Sequence, residues 1–409
     1  MAFRSVFDAV ALRNEFENAG ISSQFIPIIW KHVRQKPTSE LDEIPSLPAA
    51  AYPILRSKFK VMTSSLTSAA KSKDSLTTKL LIRLQNGNLV EAVIMRYDPS
   101  LGKYDGKPRP GCQRSTLCIS SQVGCKMACK FCATGTMGFK NNLSPGEIVE
   151  QLVHASRFSD IRNVVFMGMG EPLNNFTAVV EAIQIMMGSP FQLSPKRITV
   201  STVGVNLSFA YLHLHDLSLF ELFNADLVIA MLLCPRTLAV GIIHAINKFH
   251  DTLPNVNLAV SLHAPDQDIR CQIMPSARAF PLGRLMEALH AYQEKSQRKI
   301  FIEYIMLDGI NDLEQHAHQL GKLLQTLEVV VNLIPFNPIG TSSSFRTSSE
   351  HNVKVFQKVL RGTYNIRTTI RQQMGEDISG ACGQLVVNLS EQRSTGSVRL
   401  LADIEDLHI

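Results

Sequence analysis

The chain has 409 residues, 45% hydrophobic and 19% charged, with a formal net charge of +6. That length can bury a large core and suits one large domain with a smaller one attached, while the balance of apolar and charged residues excludes a disordered or fibrous protein. The modest basic excess permits a nucleic-acid partner without demanding one.

From the N-terminus, Met1 to Asp8 contain no long apolar run, and the acids Asp8, Glu15 and Glu17 follow early. This predicts no targeting signal, no membrane association and a cytoplasmic location, where clustered cysteines point to metal or thiol chemistry rather than a disulfide framework. Apolar residues recur at helical spacing through Val6, Val10, Leu12 and Phe16, then through Phe25, Ile28, Ile29 and Val33. The expectation is a small helical domain over residues 1–75. Its cations (Lys31, Arg34, Lys36, Arg56, Lys58 and Lys60) suit an RNA backbone, or are simply a solvated surface.

A β-hairpin extension is predicted over 76–113, because Leu80–Leu84 and Val90–Met95 flank Asn86-Gly87-Asn88. Glu91 is the one charge on the second strand. If it is buried, its pKa rises toward that of a useful general base; otherwise it is an edge residue or an ion-pair partner. A basic loop with Lys103, Lys107 and Arg109 follows, and then a strand over Ser115–Ser121 whose Cys118 reads as a small buried hydrophobe.

Gly124-Cys125-Lys126-Met127-Ala128-Cys129-Lys130-Phe131-Cys132 brings three cysteines together without a fourth. Three thiolates on one loop suit an iron–sulfur cluster with one iron left open. Zinc with a fourth ligand from elsewhere is the alternative. Beyond it, Ser144-Pro145-Gly146-Glu147 has the form of a capped helix start. Strand-like runs at 164–167, 198–201, 256–262, 300–306 and 329–334 then alternate with helical patterns, predicting a parallel α/β sheet as an incomplete (β/α) barrel. Polar residues cluster at the strand ends: Gly170 and Glu171, Ser201, Ser261 to His263, and Asn337. Each could be turn or cap chemistry; together they suggest a ligand shelf at the C-terminal edge of the sheet.

The CxxxCxxC spacing, with Phe131 before the last cysteine, resembles the radical S-adenosylmethionine (radical-SAM) superfamily. Arg114–Cys125, the GMGEPLNN stretch at 168–175, NLAVSLHAP at 257–265 and GACGQL at 380–385 resemble, more narrowly, the RlmN/Cfr family of radical-SAM RNA methyltransferases, over roughly 1–204 and 242–386. The resemblance implies an incomplete (β/α)6-type barrel over 114–386, with a 4Fe–4S cluster and SAM as cofactors. It implies Cys125, Cys129 and Cys132 as cluster ligands, and Gly170, Glu171, Ser201, Ser261, Leu262, His263 and Asn337 as SAM contacts. It further implies that Cys382 is methylated by a first SAM and that a second SAM supplies the radical. Cys118 would resolve the protein–RNA adduct through a transient disulfide with Cys382, and Glu91 would accept a proton. The expected activity is methylation of adenine carbon 2 in large-subunit rRNA and in tRNA. The alternatives are carbon 8 chemistry, or a catalytically silent RNA-binding relative.

A monomer using a flavodoxin- or ferredoxin-type electron donor is expected. Lys126, Lys130, Lys140, Arg367 and Arg371 are candidate phosphate contacts, or equally ordinary surface charge. One stretch departs from the family: residues 205–241 interrupt the barrel pattern, with Val-Gly at both edges, and read as a retained intron or gene-model error that could disrupt folding or SAM binding. The tail over 387–409 lies beyond the resemblance and receives no role.

Overall fold

The structure is a computed structural model that describes residues 3–97, 103–104, 107–108, 113–204, 246–338, 344–371, 374–378 and 386. Cys382, the 205–241 stretch and the C-terminal tail lie outside the described residues.

A ten-stranded sheet organises the molecule. Its strands are β1 (Ser65–Lys71), β2 (Thr77–Arg83), β3 (Leu89–Tyr97), β4 (Arg114–Cys118) and β5 (Ile161–Phe166), followed by β6 (Ile198–Thr202), β7 (Asn257–Ser261), β8 (Ile300–Met306), β9 (Val329–Pro335) and β10 (Arg367–Ile370). They lie side by side in chain order, antiparallel from β1 to β4 and parallel from β4 to β10. Helices α4 (Pro145–Ser156), α5 (Phe176–Met187), α6 (246–252), α7 (Gln267–Ile273), α8 (Leu282–Ser296), α9 (Glu314–Leu324) and α10 (Glu350–Gly362) supply the crossovers. Parallel strands need such crossovers, and most residues of β4 to β9 are buried. The start of α4 is the expected capping box: Glu147 N–H donates to Ser144 Oγ at 3.2 Å, and Ser144 N–H to Glu147 Oε2 at 2.9 Å.

The expected incomplete barrel is present, and a seventh parallel strand is added to the six that the sequence marked. The seventh, β10, is Arg-Thr-Thr-Ile, largely exposed and without an apolar run, so periodicity did not mark it. Strands β4 and β10 are not paired, so the barrel is open on that side. The described structure also places β1 inside the stretch expected to be helical; its Ser-Leu-Thr-Ser-Ala-Ala-Lys sequence takes its conformation from pairing with β2. Ahead of it, α1 (Ala9–Asn18), α2 (Ile26–Gln35) and α3 (Ala51–Lys58) form the helical portion.

That portion is pinned to the barrel by acids. Gly146 N–H donates to Asp8 at 2.8 Å and Val10 N–H to Glu181 at 2.9 Å. Most of the load falls on Glu150, fully buried on α4. Its carboxylate accepts from Thr63 N–H and Ser64 N–H, both at 2.8 Å, and from both hydroxyls. Burial raises its pKa while these donors lower it. Truncation would strand two backbone N–H groups in a dry interface. Glu150→Ala is therefore expected to cost about 3 kcal/mol in urea unfolding, with Glu150→Gln milder; a loss below about 1 kcal/mol for the alanine variant would show that the clamp contributes little.

Candidate active site

The thiol loop begins where β4 gives way to a short antiparallel pair, Gln122–Gly124 with Phe139–Asn142. Gly124 has φ +73°, and a Cβ there would lie 1.8 Å from the Gly138 carbonyl, so only glycine lets the two segments close. Cys125 N–H donates to Gly138 O at 3.0 Å, Cys132 N–H to Cys129 O at 3.1 Å, and Lys130 N–H to Ile273 O at 2.9 Å. The last bond ties the loop to α7. Phe131 stands edge-on to the His263 ring, 4.8 Å between centroids, which is a role for the aromatic before the last cysteine.

The loop roofs a cavity of roughly 260 Å³. Cys125, Cys129 and Cys132 line it together with Gly170, Glu171, Ser201, Ser261 and His263, so five of the seven predicted SAM contacts converge on the three thiols. Leu262 and Asn337 are not among the described lining residues: Leu262 is buried in the core with its N–H on Glu303 O at 3.1 Å, and Asn337 is half-buried beyond β9. Lining residues drawn from β5 through β9, with Arg371 just past β10, show that the sheet wraps around this space.

Electrostatically, the site is dominated by burial. Burial pushes the Cys125 thiol up to about 12 and Cys129 well above its ordinary value, with neighbouring thiols adding to both. Glu171, also buried, is raised to about 7, although its carboxylate accepts from Val203 N–H at 3.0 Å and Leu173 N–H at 3.2 Å. His263 is lowered to about 3 by burial and then by the Arg270 charge. Its Nδ1 accepts from Ile305 N–H at 3.1 Å, which leaves the proton of the neutral ring on Nε2.

The donor set fits an iron–sulfur centre: three thiols on one loop line a cavity with Val203, whose carbonyl is backed by a buried cation, Arg270, with no hydrogen-bond partner for its Nε. Among the described residues no three His, Cys, Asp or Glu side chains are placed around a single metal ion. A four-iron cluster, which gives each thiolate a separate iron, suits the three thiols better than mononuclear zinc.

Glu91 and Cys118 occupy a second locale. They are diagonal neighbours on one face of the antiparallel β3–β4 pair, in which Val93 sits opposite Cys118. Cys118 is buried against Val93 and Met95, as its sequence reading allowed. Glu91 is buried and paired: Lys79 Nζ lies 2.9 Å from Oε2, both side chains essentially inaccessible, and Val386 N–H donates to Oε1 at 2.8 Å. Of the alternatives open for Glu91, the structure realises the ion pair rather than an exposed edge.

Several site residues escaped the sequence reading. Glu303 lines the cavity in a cross-strand row, Ser261–Glu303–Asn332–Thr369, in which Asn332 Nδ2 donates to Glu303 at 2.8 Å. Arg371, a candidate phosphate contact, instead turns inward and donates to Met95 Sδ at 3.1 Å across the open side of the barrel. Glu303 is a lone charge in an apolar strand, and the signal that singled out Glu91 could have found it. Lys126, Lys130 and Lys140 remain exposed beside the loop, Lys126 with its ammonium over the Phe139 ring. In the helical portion Arg34 donates to Pro190 O at 2.6 Å, and Arg56 pairs with Asp42.

Glu171 yields a test of the site's dryness. Its folded pKa stands above the unfolded value near 4.5, so the stability it leaves intact at low pH is lost as pH rises from about 4.5 to 7. In metal-free protein, Glu171→Gln should gain about 3 kcal/mol on the parent over that interval. Chemical denaturation at several pH values measures it, and a pH-independent difference would refute the buried assignment.

Comparisons with known proteins bear on this geometry. Residues 119–320 match the model of the radical SAM superfamily. The chain is 38% identical over 376 residues to the dual-specificity RNA methyltransferase RlmN of Halorhodospira halophila, covering 90% of this chain and 89% of that one. It is 34% identical over 377 residues to the dual-specificity RNA methyltransferase RlmN 1 of Myxococcus xanthus, with 90% of each covered. A radical SAM methyltransferase from Sphaerobacter thermophilus superposes with a TM-score of 0.71 at 30% identity, over 93% of this chain and 98% of that one. With likeness along almost the whole length and a three-thiol loop over a cavity of polar strand ends, the chain belongs to the RlmN family of radical-SAM methyltransferases.

Proposed function

We propose that the chain methylates carbon 2 of an adenine in large-subunit rRNA and in tRNA. The observation that carries this is the near full-length identity with dual-specificity RNA methyltransferases, joined to a thiol loop facing Gly170, Glu171, Ser201, Ser261 and His263 in one cavity. An aromatic sp² carbon is a poor nucleophile, which disfavours polar transfer of a methyl cation. When bound, the cluster and SAM would supply a 5′-deoxyadenosyl radical for the step that polar chemistry lacks.

Cys125, Cys129 and Cys132 would hold the cluster. Glu171 and the polar strand ends would orient SAM, with Leu262 and Asn337 completing its contacts. Cys382 would carry the methyl group as a thioether, lose a hydrogen from it, and deliver the carbon to the base. Glu91 would take the proton leaving carbon 2, while the surplus electron of the radical adduct would return to the bound cluster. The Cys118 thiolate would then attack the Cys382 sulfur: a disulfide would form, the sulfur–carbon bond would break with its electron pair on the methylene carbon, and that carbon would take up a proton to become the methyl group. Supporting this division, Glu91 and Cys118 share one face, and Glu91 accepts from Val386, four positions after Cys382. The base must be unstacked to reach such an interior site, and Lys126, Lys130 and Lys140 would hold phosphates beside the thiol loop. A flavodoxin- or ferredoxin-type donor would supply the electron. Among the described residues no helix is long and apolar enough to cross a membrane.

Nucleoside mass spectrometry of rRNA and tRNA from cells lacking the protein should show loss of 2-methyladenosine. Loss of 8-methyladenosine would assign carbon 8 instead, and an unchanged profile would leave a silent RNA-binding relative. Cys118→Ala should trap a covalent protein–RNA species that survives denaturing electrophoresis; free turnover by that variant would remove Cys118 from the mechanism.

A further inference from the structure

Arg270, on α7, is 1% exposed and is the largest fully buried side chain described. Its Nη2 donates to Val203 O at 2.9 Å and its Nη1 to Phe280 O at 3.2 Å, while its Nε is buried with no hydrogen-bond partner. No carboxylate pairs with it among the described ion pairs. A guanidinium held only by two carbonyl dipoles is an expensive object in a protein interior, and such charges persist where an anion shares the site.

The neighbourhood offers that anion. One helical turn on from Arg270, Ile273 O accepts from Lys130 N–H, so α7 is bonded to the thiol loop at the residue following Cys129. On the other side, Val203, whose carbonyl accepts from Arg270, donates its own N–H to Glu171. The guanidinium is thus held between the carbonyls of Val203 and Phe280, on a helix whose end is bonded to the thiol loop. Val203, whose carbonyl holds the guanidinium, itself lines the cavity that Cys125, Cys129 and Cys132 line, so the charge sits directly behind the wall of that cavity.

We infer that Arg270 is the buried countercharge of the three-thiolate centre, a positioning residue that raises the reduction potential of the cluster. This rests on the cluster reading above. Adding an electron makes an already anionic centre more negative, so a fixed positive charge in a medium of low polarity favours the reduced form. The cation's two carbonyl bonds and its burial prevent it from swinging away.

The test uses the full chain, reconstituted anaerobically with iron and sulfide, and follows the reduced cluster by electron paramagnetic resonance during redox titration. Arg270→Gln and Arg270→Met remove the charge; Arg270→Lys keeps it. In the neutral variants the ratio of reduced to oxidised cluster at a fixed potential should fall about tenfold, or ~59 mV for one electron, with Arg270→Lys close to the parent. Neutral variants that fail to load iron while Arg270→Lys loads also support a requirement for charge. Neutral variants that load fully at the parental potential overturn the inference, as does failure of all three to load, which would assign Arg270 a packing role. Cys271→Ser controls for the neighbouring thiol and should leave the potential unmoved; a shift as large as that of Arg270→Gln would transfer the role to Cys271. The readout needs no RNA and no methyl product. A parent chain that binds no iron and sulfide would sink the cluster reading itself, whereas a loaded parent with unmoved variants sinks only the inference.

Discussion

Burial of like charge governs this molecule. Three thiols and Glu171 share one cavity, and burial together with the neighbouring thiols and Glu171 makes the ionised forms of Cys125 and Cys129 harder to reach. Thiolates in such a place need compensating positive charge, which a bound iron–sulfur centre would supply. The remaining features follow from holding that cavity in shape: a glycine-tight turn at Gly124, a loop bonded to α7, and a strand end clamped between Glu171 and Arg270.

The parallel sheet makes the convergence cheap. Each strand ends at the same edge, so residues between 125 and 371 reach one space without long loops crossing the interior. The antiparallel extension continues the sheet by its own hydrogen bonds and carries a separate charge problem, Lys79 with Glu91. That pair is buried on both sides and anchored to Val386 N–H. A buried pair of this kind contributes little net stability against apolar alternatives, but losing one partner is costly, so it is better understood as fixing where one carboxylate points.

Much of the site was legible in the sequence because its elements are local. Thiol spacing, the capping box at Ser144, apolar strand runs and polar strand ends each occupy a few consecutive residues. What escaped were elements defined by their partners. Strand β10 is too short and polar to announce itself, and β1 is extended because β2 lies beside it. Arg371 read as a surface cation until the open side of the barrel drew it toward Met95.

The sequence by itself determined the chemistry: which thiols sit on one loop, which strand ends are polar, and that the sheet is parallel. These are matters of residue type and short-range period. Only the tertiary structure decided how charges are compensated, because Lys79 and Glu91 lie twelve residues apart, and Arg270 is remote in sequence from both Val203 and the thiol loop. Coulomb energy depends on distance and burial, and neither is written in spacing along a chain.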